Sequence, residues 1–531
     1  MSSSLSKDQI GEPVHIKTEG WIRGVDLKMK APSLQDNTAD VDRLLKGLER
    51  NLRSSPIHMD LGLAGKVPSL FRDQGYEIHA VLYEWEGRWH VIDFLASSLN
   101  EALYGLAVDL GSTTVVVRLL DLKSGEMKQE TSFLNPQVDI GPDILTRIHY
   151  ASGKGGLERL QGLVIEGLNG VIARMVKDQG IECRRIMGMS AAGNTTMTHL
   201  FLGLSPYWIC REPYIPVINK PSPVKASALG LEIHPEAPVL VFPNVGSYFG
   251  GDLIAGIIAS GMTNRDELAI LVDVGTNAEV VLGNKDWLMA CAGAAGPALE
   301  GGVAGMGMIA GPGVIDRVSI DQGSRDFDVG TIADLPAVGI CGSGLIDLVA
   351  HLFLAGMIDV RGKLVPERCG ERMKHRDGIQ HLTVVSASES GTGKDLTLSQ
   401  TDIDALLRSK AAMYTILTTI TGMVHISMKD IRHFYVAGTF GTYIRPRSAI
   451  TLGMVPDLDS GIFKTLGNTS VSGAGRALLS RAVREEVYRI RDRITYIELN
   501  VNQDFMNRFS AAKFIPHTDR TLFPSVKESR W

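Results

Sequence analysis

The chain has 531 residues, 44% hydrophobic and 21% charged, with a formal net charge of −5. That length exceeds what one core organises and predicts about three domains, while the slight acidity argues against a surface that coats nucleic acid. Its 57 glycines, many in short clusters beside apolar runs, favour an α/β protein with ligand-binding turns over a helical bundle.

In chain order, residues 1–20 read as a polar, mobile tail without the apolar core of a signal peptide. Residues 21–100 predict a small α/β domain. A helix follows the capping residues after Asn37, and two strands starting near Tyr76 and Arg88 flank the Glu86-Gly87 turn. The most apolar long segment, Ala237 to Met262, is broken by Pro243, Asn244 and Asp252 and should not span a bilayer. A cytoplasmic protein without a membrane partner is expected.

Residues 101–270 and 271–531 open alike. Leu106 to Asp121 reads L-A-V-D-L-G-S-T-T-V-V-V-R-L-L-D, and Leu271 to Leu282 reads L-V-D-V-G-T-N-A-E-V-V-L. Each predicts a buried strand ending at an aspartate (Asp109, Asp273), a glycine turn (Gly111, Gly275) and a returning strand. Such turns expose backbone N–H groups of the kind phosphate oxygens accept. Ser112, Thr113, Thr114, Thr276 and Asn277 add short polar donors. The pair resembles the phosphate motifs of the actin, sugar-kinase and heat-shock ATPase superfamily. That resemblance implies ATP held from both sides, with Asp109 and Asp273 facing the water shell of its Mg²⁺.

The first half continues with Asn135-Pro-Gln, a helix from Asp143 that carries Arg147, and an amphipathic helix over Leu157–Lys177. A buried strand from Arg185 runs into Gly193-Asn194 and a helix start, an anion-binding form. The loop and helix from Pro243 to Ser260, which carry Asp252, link the halves. In the second half, Cys291 to Gly302 predicts a glycine loop entering a short helix with Glu300. Gly307–Gly313 predicts a loop. The strand from Phe434 ends in a turn containing Gly438, Thr439 and Gly441. Ser390-Gly-Thr-Gly-Lys is a decoy, because a phosphate-binding Walker loop would need glycine at Ser388 and a hydroxyl at Asp395. The five cysteines (Cys183, Cys210, Cys291, Cys341, Cys369) form no C-x-x-C. No iron–sulfur cluster and no disulfide framework are predicted.

Further motifs narrow the resemblance: Gly193-N-T-T-M, Gly250-G-D-L-I-A-G, Asp273-V-G-T-N-A-E, Cys291-A-G-A-A-G-P-A-L-E-G, Ile340-C-G-S-G, Ala437-G-T-F-G and Phe514-I-P-H-T-D. Together they resemble the ATP-dependent reductive activators of corrinoid proteins. The resemblance implies a duplicated actin-like (ribonuclease H-like) α/β ATPase fold behind a small α/β middle domain. It implies ATP and Mg²⁺ as cofactors, and a Co(II) corrinoid protein of a methyltransferase or demethylase system as partner, reduced to Co(I). A homodimer is the family's usual state. Gly438, Thr439 and Gly441 would line the adenine and Glu300 would reach the ribose. Family members usually carry their own iron–sulfur domain; here a separate ferredoxin-like donor is expected instead. Two alternatives stay open: an ATP-gated, non-redox chaperone for a corrinoid protein, and a small-molecule kinase with Asp252 as base.

Overall fold

Among the described residues, three sheets of four, six and six strands organise the chain, with two smaller ones inserted. The computed structural model describes residues 20–53, 56–96, 102–247, 249–275, 277–294, 304–438, 444–499 and 503–527. The first sheet comprises β1 (Ile22–Lys28), β2 (Ile57–His58), β3 (Glu77–Trp85) and β4 (Arg88–Ala96), in the order β1-β3-β4-β2. Glu86 and Gly87 join β3 to β4 with φ of 51° and 77°, the left-handed pair that a two-residue hairpin requires. The expected helix runs from Asp40 to Leu52 and buries Leu44 and Leu48 against Phe71 and Ile78.

The second sheet contains β5 (Tyr104–Asp109), β6 (Thr114–Asp121), β7 (Met127–Leu134), β8 (Ile186–Ala192), β9 (Val224–Lys225) and β10 (Pro238–Val241), in the order β7-β6-β5-β8-β10-β9. β8 is buried along its whole length, as its apolar run I-M-G-M-S-A-A allows for a strand covered on both faces. The helix Gly156–Gln179 lays Leu160, Val164, Leu168 and Ile172 into the same core.

The third large sheet begins with β11 (Ala269–Val274), β12 (Asn277–Gly283) and β13 (Leu288–Ala294). Two three-stranded sheets follow: β14 (Val314–Ile320), β15 (Phe327–Thr331) and β16 (Gly339–Ile340), then β17 (Met373–Arg376), β18 (Ile379–Val385) and β19 (Leu396–Ser399). β20 (His433–Ala437), β21 (Phe463–Gly467) and β22 (Ile494–Glu498) return to give β21-β20-β11-β12-β13-β22. β5 pairs antiparallel with β6 and parallel with β8. β11 does the same with β12 and β20. The two large sheets thus share one plan, the duplicated fold read from the two hairpins. Registers differ by one residue: Asp109 pairs with Val116, whereas Asp273 pairs with Glu279.

The chain divides into two compact units. The first runs to Ala259 and takes in Ser470–Asp492; the second holds Ser260–Thr469 and the chain from Arg493. A linear boundary at residue 270 makes no provision for that return. A buried ion pair contributes to it. Arg484 donates to the Glu84 carboxylate at the end of β3, and both side chains are 5% exposed. Arg481 approaches the same oxygen at 3.4 Å, and the Arg484 guanidinium lies 5.4 Å from the Trp85 ring centroid. Among the described residues no helix is long and apolar enough to cross a membrane. Glu84→Gln would leave Arg484 buried without its counter-charge, a loss of about 3–5 kcal/mol. Hydrogen exchange across 481–492 should accelerate in that variant, and unchanged protection would show that packing alone holds the segment.

Candidate functional site

In the first unit, three loops meet at the carboxyl ends of the parallel strands β5, β8 and β10, where open α/β sheets present ligands. Half-buried Asp109 closes β5. The N–H of Leu110 donates to Ala192 O at 2.7 Å, joining the hairpin to the loop after β8. A Cβ on Gly193 would come within 2.8 Å of the Leu110 Cβ, so only glycine allows that approach. The N–H of Asp252 donates to Gly193 O at 3.3 Å, which brings in the start of the helix Gly251–Ser260. Asn194 caps the helix Thr195–Leu202, its Oδ1 accepting from Met197 N at 2.9 Å. That oxygen is thereby committed to the helix.

Gly111 serves a different physical need from a left-handed turn, since it is absent from the positive-φ glycines. A Cβ there would lie 2.0 Å from Thr114 O, so the hairpin closes only over a bare Cα. The three carbonyls of the turn are held from behind. Asn135 Nδ2 donates to Gly111 O at 3.0 Å, Arg147 Nη2 to Ser112 O at 2.7 Å, and Asn135 N to Thr113 O at 2.8 Å. In a trans peptide, C=O and N–H point opposite ways. The amides of Ser112 and Thr113 therefore face away from Asn135 and Arg147, on the half-buried to exposed side of the turn. Among the described residues these two amides donate to no other group. Asn135, Gln137 and Arg147 are all fully buried. Burial pulls the Arg147 guanidinium down to about 10, which still leaves it charged at neutral pH.

In the second unit, Asp273 is the penultimate residue of β11 and pairs with Ala437 of β20 on one side and Glu279 of β12 on the other. Gly438 follows β20 with φ of 81°, and a Cβ there would meet the Asp273 Oδ1 at 3.1 Å. Gly438 thus stands against the carboxylate. Glu279 was not singled out from the sequence, where it reads as one more polar residue in an alternating strand. Opposed residues of an antiparallel pair have Cβ atoms about 5 Å apart. Asp273 and Glu279 are therefore neighbouring carboxylates on one face of the sheet. Thr276, Glu300, Thr439 and Gly441 lie outside the described residues, and so does the Asn277 side chain; the Asn277 backbone begins β12.

The cysteine loop needs correction. Cys291 to Ala294 belong to β13, paired with β12 from Val280 to Asn277, and not to a glycine loop; a strand of small residues resembles one in sequence. Cys291, Cys341 and Cys369 are buried. Desolvation pushes the Cys291 thiol up to about 12 and the Cys369 thiol up to about 11, so both are protonated at ordinary pH. The reactive form is the thiolate. Native alkylation at pH 8 should mark Cys183 and Cys210, which are partly exposed, and spare Cys291 and Cys369 until the chain is denatured. Rapid native labelling of Cys291, read by mass spectrometry, would contradict this placement.

Comparison with known proteins decides the family. Residues 267–527 match the C-terminal ASKHA domain of RACo, residues 104–265 the RACo middle region and residues 13–99 the RACo linker region. The corrinoid activation enzyme RamQ of Eubacterium limosum is 32% identical over 446 residues, covering 82% of this chain and 74% of that protein. The chain belongs to the RACo family of corrinoid activators. The [Co(II) methylated amine-specific corrinoid protein] reductase of Methanosarcina barkeri is 23% identical over 436 residues, 76% of each chain. A solved structure of a reductive activator for corrinoid, iron-sulfur protein superposes with a TM-score of 0.89 at 38% identity, covering 98% of this chain and 82% of that one.

Proposed function

We propose that the chain is an ATP-hydrolysing activator that drives reduction of a Co(II) corrinoid protein to Co(I), with electrons from a separate ferredoxin-like carrier. The observation that carries this reading is the repeated sheet with an aspartate at the same strand end in each copy, in a chain 32% identical to a corrinoid activation enzyme. Both hairpins are assigned to one Mg-ATP. Ser112 and Thr113 amides, with Gly193-Asn194, serve the phosphate chain from the first unit. Gly275, Thr276 and Asn277 serve it from the second. Asp109 and Asp273 would hold metal-bound water; Asp273 beside Glu279, and Asp109 at the end of β5, fit a hydrated divalent cation. Bound magnesium supplies neutralisation of phosphate charge. Gly438, Thr439 and Gly441 remain assigned to the adenine side and Glu300 to the ribose, while Asp252 remains assigned to the catalytic group.

ATP and the corrinoid partner are coupled through conformational states to which each binds differently, so the partner must change ATP turnover and ATP must change partner affinity. Asp109→Asn and Asp273→Asn should fold but lose ATPase activity by about a hundredfold each, the scale of one electrostatic contact to a developing phosphoryl charge. Wild-type turnover in both would remove the assignment. Reconstitution tests the reaction itself: the chain, a Co(II) corrinoid protein and a reduced ferredoxin-like donor should give the Co(I) absorption spectrum only with ATP. Partner-stimulated ATPase without Co(I) from any donor would make the chain an ATP-gated binding protein. A corrinoid protein that neither binds nor changes turnover would remove the reading.

A further inference from the structure

The fully buried Arg147 guanidinium beneath the first unit's turn has an unusual set of partners. Arg147 donates to Gly141 O at 2.8 Å through Nε, to Ser112 O at 2.7 Å through Nη2, and to Gln137 Oε1 at 3.2 Å through Nη1. Nη1 also lies 3.4 Å from the Met197 sulfur, in the first turn of the helix that Asn194 caps. Every hydrogen-bond partner is neutral, and among the described residues no carboxylate forms an ion pair with it; the Asp143 carboxylate acts on it only from longer range. Burying a lone cation is expensive unless the charge is used. A merely structural pin under a turn could be a neutral amide, as Asn135 already is.

We propose that Arg147 is a positioning residue whose charge, held without a direct ion-pair partner, works through the Ser112 peptide to make the first hairpin a phosphate grip. This rests on the nucleotide reading above. The guanidinium pulls on Ser112 O, which polarises that peptide and strengthens its N–H, that of Thr113, as a donor on the opposite face. The same side chain reaches the first turn of the Asn194-capped helix, so hairpin and second loop share one anchor. The direct counter-charge that the protein does not set against it is provided by the ligand. Affinity should therefore depend on Arg147 through the phosphates and not through the base.

The test uses the full chain as wild type, Arg147→Lys and Arg147→Gln, with ATP and adenosine as probes and calorimetric Kd as readout. Lysine keeps the charge but loses the planar fork; glutamine loses the charge. The expected order of ATP affinity is wild type, then lysine, then glutamine, with the glutamine variant weaker by about tenfold or more, the scale of a charged hydrogen bond. Adenosine affinity should be unchanged in all three. Equal loss for ATP and adenosine would mean that Arg147 only maintains the fold, and unchanged ATP binding in the glutamine variant would overturn the inference directly. Should that variant not fold, the lysine variant decides alone: weaker ATP with unchanged adenosine supports the inference, and ATP binding equal to wild type overturns it. A wild-type chain that binds no nucleotide overturns this inference and the nucleotide reading together. Nucleotide binding without Co(I) formation strikes only the corrinoid reading.

Discussion

Three consecutive carbonyls pinned from behind are the constraint on which the first half of the molecule depends. With Gly111, Ser112 and Thr113 all giving their oxygens to Asn135 and Arg147, peptide planarity leaves the intervening amides no direction but outward. The surrounding structure serves that arrangement. Asn135 is itself the cap of the Pro136–Asp139 turn, its Oδ1 accepting from Gln137 N. Gln137 in turn donates to Leu160 O on the long helix. The helix Ile144–Ala151 is capped by Asp143 and holds Arg147 in its first turn. A rigid helix, a capped turn and a glycine that tolerates a 2.0 Å approach of Thr114 O to its missing Cβ together produce a turn whose donors are set before any ligand arrives. Preorganisation of that kind lets electrostatic contacts act without reorganisation at the moment of reaction.

The second half repeats the plan with different parts. Its central strand ends in an aspartate, its hairpin strand lies antiparallel and its next strand parallel, yet the register is shifted by one residue. Opposite Asp273 stands a carboxylate, where opposite Asp109 stands Val116. The two halves therefore differ in chemistry. One carries outward amides over a buried cation, suited to anionic oxygens. The other carries paired carboxylates, suited to a hydrated cation.

How much of this was legible beforehand follows from the range of the interactions involved. The strand–turn–strand hairpins, the capped helices at Asp143 and Asn194 and the buried strand Ile186–Ala192 were readable because periodicity and capping are local. The reason for Gly111 was not: its neighbour is the carbonyl three residues on, and only the folded turn shows the approach. Arg147 reads in sequence as an ordinary helix arginine, since nothing in I-L-T-R-I-H-Y-A reports that its face is covered. Glu279 became visible only through strand register. Cys291 was assigned to a loop because a strand of small residues lacks the branched and aromatic side chains that mark strands. The return of Ser470–Asp492 to the first unit brings Arg484 to Glu84, a contact between residues 400 positions apart, and no local signal encodes it.

The central claim is that a single magnesium nucleotide is the ligand of both aspartate hairpins. A structure determined with Mg²⁺ and a non-hydrolysable ATP analogue tests it most directly. The account predicts phosphate oxygens on the Ser112 and Thr113 amides, and Asp109 and Asp273 within one water of the same ion. A nucleotide seated on one hairpin only, or phosphates turned away from the Ser112 and Thr113 amides, would contradict it.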